Sequence, residues 1–396
     1  MIAGCGGNGG GGTPDAHGTG HDAAIDAPPV APFGDRMPQI GGGTEVITAP
    51  KVMAITYDND TNRTAYEQFF TQYAASTAWP AQAAEYGVGA LTVLNPAHIT
   101  GNAPGTLTEA QFVAMLTSNT TGASPAWGAA DPSTIYQLSI PSGTMYSDSN
   151  GSKCCSGYLG YHYSAAIGGQ SIPFAINCGG CSGGGLTPLQ NLTTTVNHET
   201  VEAATDPFNA GFAQTDDDHF AWTFVTGGEA GDLCEYADTA NDVSPAGISY
   251  TIQRTWSNAA AKAGHDPCVP DVTTPYYQTI PDAPDMTTLS TFGTAITTHV
   301  KKIAMGATGT LTLHVYADSA SAGPFSITLQ DYDAFGSQNY LTITQPTGTY
   351  NVGDTVSVPI RVLAADSSLG GNAEVFQVTT TPSSGPSTYF YGLIGQ

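Results

Sequence analysis

The run Asn197-His198-Glu199-Thr200-Val201-Glu202 carries side chains that could hold a metal ion and activate water. Residues four apart on a helix share a face, so His198 and Glu202 converge on one point with Glu199 beside them. A ring nitrogen and a carboxylate one turn apart suit a divalent cation. The adjacent glutamate suits the base that takes a proton from water. A third ligand must come from elsewhere in the chain, and three stretches offer one. The glycine-rich run Gly227-Gly228-Glu229-Ala230-Gly231-Asp232-Leu233-Cys234 carries Glu229 and Asp232. Asp216-Asp217-Asp218-His219 is an acidic cluster with a histidine. Gly160-Tyr161-His162-Tyr163 places His162 between two tyrosines. Each has a plainer reading. His219 suits a solvated loop, and His162 suits a satisfied core histidine. Asp206 suits a helix stop, although at i+8 it also falls near the face of His198 and Glu202.

The HExxH motif of zinc metallopeptidases has this arrangement with a second histidine in the place of Glu202. An anionic ligand there makes zinc less electrophilic and the site harder. Calcium and manganese are therefore alternatives to zinc. His-Glu-x-x-Glu alone is a common pattern on helices.

These residues need a scaffold. Pro50–Tyr57 reads as a buried strand ended by Asp58-Asn59-Asp60. Residues 62–76 have helical spacing, with Tyr66, Phe69, Phe70 and Tyr73 on one side. Residues 87–94, Ser133–Ile140 and Ile172–Asn177 read as further strands. Thr108 caps a helix running to about Thr117. The motif helix begins near Leu189 and stops at Asp206-Pro207, because proline disfavours helix in the residue before it. This alternation predicts an α/β or α+β domain over residues 44–271. Residues 272–291, rich in Pro and Thr, read as a linker. From 292 to 396 short alternating runs separated by turns predict an all-β sandwich. These runs are Leu311–Tyr316, Phe325–Leu329, Tyr340–Ile343, Thr355–Ile360 and Val375–Val378.

Composition narrows location and partners. Lys and Arg number 9 against 33 Asp and Glu, a formal charge of −24. Such a chain repels nucleic acid and anionic membrane surfaces. No apolar run is long enough to span a membrane. Ile2-Ala3-Gly4-Cys5 matches a bacterial lipobox, so Cys5 is a candidate lipid anchor. Residues 1–43, Gly-, Asp- and Pro-rich, read as a disordered leader and tether. Setting Cys5 aside leaves six cysteines, enough for three disulfides in a secreted or cell-surface protein, such as an outer-membrane lipoprotein. Cys234 with Cys268 is the expected bridge, with Cys154, Cys155, Cys178 and Cys181 pairing among themselves. The alternative for those four is a structural zinc site.

The order HExxExxTDP, a Trp-containing loop and GGExGDxC resembles a group of secreted bacterial zincin-type proteins. It is also similar to the plant phosphate-induced, or EXORDIUM, family. Glu85–Gly89, Gly160-Tyr161-His162, Gln253–Ala259 and Pro267-Cys268-Val269 fit the same pattern. The resemblance covers about residues 46–270. It implies a zincin-like domain in which His198, Glu199, Glu202, Glu229 and Asp232 share one site. Thr200 stands where that family usually has an apolar residue, and Leu159 where many members have a cysteine.

The expectation is a secreted or surface-tethered hydrolase, a zinc metallopeptidase acting on a protein or peptide. Glu199 is its base, and His198, Glu202 and Glu229 hold the metal. Asp232 orients a ligand or replaces Glu229, and His162 or Tyr161 donates to the oxyanion. The sandwich would keep the enzyme near its substrate, for instance a cell-surface polymer. A second expectation is a non-catalytic calcium- or metal-binding adhesion protein. A third is a carbohydrate-active protein using a carboxylate pair. Oligomeric state is not legible.

Overall fold

The computed structural model describes residues 36–43, 45–208, 210–291, 293–319, 322–332 and 338–396. Cys5 and leader residues 1–35 lie outside the described residues. The chain is mixed α/β and rich in strands. Its N-terminal part is built on β1 (Lys51–Tyr57), β2 (Thr92–Val93), β3 (Ala97–Ile99), β5 (Thr134–Ile140), β7 (Gly160–Ile167) and β8 (Gln170–Cys178); β4 (Thr106–Thr108) pairs separately with β6 (Met145–Ser147). The sheet order is β2-β1-β5-β8-β7, with β3 also on β1. β1 runs parallel to β2, β3 and β5, and β5 runs parallel to β8. Only β7 is antiparallel, at the edge.

The period-two alternation of these strands sends side chains to two cores. Met53, Ile55, Tyr136, Leu138 and Ile140 face Phe112 and Leu116 of α3 (Glu109–Thr120). Val52, Ala54 and Ile135 face the other way. There α1 (Arg63–Ala75), α2 (Ala78–Ala83) and α4 (Pro188–Thr205) pack. Tyr66, Phe69, Phe70 and Tyr73 of α1 are fully buried, as their spacing predicts. α4 starts one residue before the expected Leu189, and a reciprocal Thr187–Gln190 capping box satisfies its first turn. Of the strand expected at 87–94, only Thr92–Val93 is extended in a ladder.

A buried polar network seats α4. Asn177 Nδ2 donates to Gln137 Oε1 at 2.7 Å and to Tyr66 Oη at 2.9 Å. Gln137 Nε2 donates to Thr200 Oγ1 at 3.0 Å. One turn away, Asn197 Nδ2 donates to Tyr73 Oη at 2.9 Å, and Asn197 Oδ1 accepts from the Gln253 backbone at 2.6 Å. These bonds set the rotation of the helix and leave His198 and Glu202 on its opposite side.

Past α4 come α5 (Phe220–Thr226), α6 (Asp232–Glu235) and α7 (Asn258–Ala263). Two short ladders join β9 (Asn241–Asp242) to β10 (Ile252–Gln253) and β11 (Thr255–Trp256) to β12 (Cys268–Val269). All three disulfides are present: Cys234–Cys268, Cys154–Cys178 and Cys155–Cys181. The four-cysteine zinc alternative is thereby overturned, since disulfide sulfur is not a thiolate ligand.

The C-terminal part is two packed sheets. One has the order β13 (Tyr277–Pro281), β16 (Thr308–Ala317), β19 (Thr355–Val362), β18 (Leu341–Ile343). The other has the order β14 (Asp285–Thr291), β15 (Thr294–Lys302), β21 (Thr388–Gly395), β20 (Ala373–Pro382), β17 (Phe325–Asp331). Residues 272–291 are therefore not a linker. They contribute β13 and β14, because Tyr277 and Ile280 are buried and Leu289 fills the shared core. Residues 36–43 are likewise not tether. Met37 and Ile40 are buried, and Ile40 pairs with Thr215. The two parts share apolar contacts, with the Trp222 ring against Phe390 and Tyr391 of β21.

Replacing Thr200 by valine removes the hydroxyl that accepts from Gln137 Nε2. A stranded buried amide costs about 1–3 kcal/mol. Thr200→Val should lower the urea midpoint accordingly; an unchanged midpoint would show that the hydroxyl carries no stability.

Candidate metal centre

α4 carries His198, Glu199 and Glu202, and Asp206 follows at its C-cap. β7 crosses this helix closely. A Cβ on Gly160 would lie 2.4 Å from Thr195 Cγ2 and 2.7 Å from the Ile176 carbonyl, so glycine is required at the crossing. β7 alternation then turns His162 toward α4. Tyr161 points to the opposite core, where its hydroxyl donates to Glu109 at 2.8 Å and pairs with Tyr146. Tyr161 is therefore no oxyanion donor.

The loop between α5 and α6 closes over the helix. Glu202 Oε1 accepts the backbone N–H of Gly231 at 2.9 Å and of Asp232 at 3.1 Å. A Cβ on Gly231 would sit 2.5 Å from His198 Nδ1, so only glycine lets the loop approach this far. The Cys234–Cys268 bridge anchors the loop to β12. Buried Arg254 donates to Asp266 at 2.7 Å and to the Cys268 and Pro270 carbonyls, holding β12 in turn.

Seven side chains result in one cluster: His162, His198, Glu199, Glu202, Asp206, Glu229 and Asp232. His198 Nε2 lies 2.9 Å from Glu202 Oε2 and 3.7 Å from Asp232 Oδ1. His162 Nδ1 lies 3.3 Å from Glu199 Oε2 and 3.8 Å from Glu202 Oε2, and its Nε2 lies 3.5 Å from Glu229 Oε2. All six residues singled out from sequence are thus together. Asp232, not Glu229, joins His198 and Glu202; Glu229 sits with His162 and Asp206. Both His162 nitrogens face carboxylates, which does not suit the oxyanion role expected of it. The acidic cluster goes elsewhere: His219 pairs with Asp216 at 2.7 Å, and its turn packs against β15.

Two residues escaped sequence reasoning. Asp206 looked like a helix stop, although its i+8 spacing pointed here. Gln253 stood only within a resembling motif. Its Nε2 donates to the Gly231 carbonyl at 2.7 Å, so its Oε1 faces His198 Nδ1 at 3.1 Å. A carbonyl only accepts, which fixes the amide and assigns the His198 proton to Nδ1.

Five carboxylates and two imidazoles are buried together, and each feels the others. Burial works against a charged His162 ring, but Glu229, Glu199 and Glu202 outweigh it and hold its pKa up at about 10. His198 is likewise raised, its burial overcome by Glu202. Burial and then the charge of Glu202 push Glu229 and Asp232 well above the usual carboxylate range. Glu202 is lowered: its burial is outweighed by His198 and then His162. A divalent cation suits this donor set. It would neutralise carboxylates that otherwise must hold protons, and buried Glu229 Oε2 accepts no hydrogen bond within the protein. An apolar cavity lies elsewhere, at the junction with the C-terminal sheets between Trp222, Trp256 and Tyr391. No member of the cluster lines it.

No family model and no curated protein matches the chain. Among solved structures it is similar to a conjugative transposon lipoprotein from Bacteroides eggerthii. The match covers 30% of this chain and 97% of that one at 10% identity, with a TM-score of 0.18. A likeness that slight carries no argument about fold or function. Among the described residues no helix is long and apolar enough to cross a membrane.

Two outcomes follow from this geometry. Gly231→Ala forces the loop off His198, so metal affinity measured by competition with a chelating dye should fall about 10–100-fold, as for lost supporting contacts; unchanged affinity would contradict the close approach. In metal-free protein the raised His162 stabilises the fold fully below about 6.5, and this contribution is lost as pH climbs to about 10. Raised Glu229 and Asp232 act in the same direction, since ionising them disfavours the fold. The melting temperature in chelator should therefore fall across that window, and a flat or rising profile would refute the cluster's electrostatics.

Proposed function

We propose that the protein is a secreted or surface-tethered metal-dependent hydrolase, a zinc metallopeptidase of zincin-like type acting on proteins or peptides. The observation that carries this reading is the convergence of His198 Nε2, Glu202 Oε2 and Asp232 Oδ1 beside Glu199. Zinc held there would supply Lewis acidity toward a carbonyl and toward water. Gln253 keeps the His198 proton on Nδ1, which leaves the Nε2 lone pair for the metal. The two loop N–H groups fix Glu202 Oε1 and leave its Oε2 as the donor. Glu199 takes the proton from the attacking water, and the bond from His162 Nδ1 orients that carboxylate. His198, Asp232 and Glu229 form the more open side of the cluster. The three disulfides suit export, with Cys5 as the proposed lipid anchor.

The abundance of carboxylates favours one second reading: a non-catalytic calcium-binding surface protein. Elemental analysis separates the two. Zinc should copurify with wild type and fall in His198→Ala. Glu199→Gln should keep its metal yet lose about 100–10,000-fold in peptide turnover. Full turnover in Glu199→Gln would sink the mechanism, and calcium-dependent melting without zinc or turnover would favour the second reading.

A further inference from the structure

We propose that the cluster binds a second divalent cation, between His162, Asp206 and Glu229, beside the ion at His198, Glu202 and Asp232. This inference rests on the metal-binding reading above. Six of the seven residues fall into two triads with no member in common, and Glu199 groups with His162 and Glu202. Each triad has one histidine and two carboxylates, with ligand atoms within 4.8 Å of one another. The two histidines are prepared in the same way. His198 Nδ1 faces Gln253 Oε1 and its Nε2 faces carboxylates. His162 Nδ1 faces Glu199 Oε2 and its Nε2 faces Glu229. An acceptor at Nδ1 holds the proton there and leaves Nε2 as the metal-binding atom.

The His162–Asp206–Glu229 triad also holds two buried carboxylate oxygens that accept no hydrogen bond within the protein. Asp206 is 1% exposed, and its Oδ2 accepts no hydrogen bond, although its Oδ1 accepts one from Gly211 at 2.7 Å. Glu229 Oε2 is buried in the same condition. A helix stop needs only Asp206 Oδ1. Glu202 Oε2 lies 2.9 Å from His198 Nε2 but meets His162 only on its Nδ1 side, at 3.8 Å, so it belongs to the first site. A second dication would bring positive charge to the carboxylates that an ion at His198 does not reach. One imidazole and two carboxylates form a donor set that zinc accepts.

Metal-free protein reloaded with zinc chloride and dialysed tests this by ion content and by anomalous diffraction at the zinc edge. Wild type should hold about two ions per chain and show two anomalous peaks, one in each triad. Asp206→Asn is the informative variant, because its amide oxygen still accepts from Gly211 while the second oxygen is lost. It should fold with an unchanged far-ultraviolet spectrum and hold about one ion, as should Glu229→Gln. One peak in wild type, at His198, overturns the second site and leaves the first standing. No peak overturns both.

Discussion

Glu202 Oε1 accepts two backbone N–H groups from the loop at Gly231 and Asp232, and its Oε2 meets His198. This carboxylate is buried and charged, a condition tolerated only when every lone pair has a partner. It joins the helix to the loop, and the loop brings Glu229 and Asp232. Without that clasp the helix would carry one histidine and two glutamates on a face met only by His162 of β7.

Around the clasp, the scaffold removes freedom from both partners. The helix is seated from behind by Gln137, Asn177 and Tyr66, and by Asn197 with Tyr73 and Gln253. Such directional buried hydrogen bonds specify one rotation of a helix, where apolar packing alone would tolerate several. The loop is held by the Cys234–Cys268 bridge and by glycine at its point of closest approach. The edge strand β7 adds His162 from a third direction. Like charges are thus forced together by covalent and hydrogen-bonded restraints, a compression that a bound cation would relieve.

Much of this was legible in the residue order. The periodicity of α1 and the capped start of α3 are local properties of neighbouring side chains, and so is the stop of α4 at Pro207. The cysteine count pointed to bridges, and Cys234–Cys268 is among those formed. The zincin-like relationship remains the reading of a motif order. Less legible were β13 and β14, whose Pro- and Thr-rich sequence resembles a linker until partner strands bury Tyr277 and Leu289. The end of the leader was hidden for the same reason, since Met37 and Ile40 are buried only by distant segments.

For the site, the sequence by itself determined the helix face that carries His198, Glu199 and Glu202, because a spacing of four residues is a property of the helix alone. It also named Glu229, Asp232 and His162, but gave the third metal position to Glu229, with Asp232 as its support or replacement and His162 as an oxyanion donor. Only the tertiary structure decided that Asp232 completes the first triad and that Glu229 belongs with His162 and Asp206. It alone turned Tyr161 away and set Gln253 behind His198. Those outcomes depend on strand register, loop closure and the approach of two glycines to a helix. Such contacts join residues far apart in the chain, and no local pattern encodes their distances.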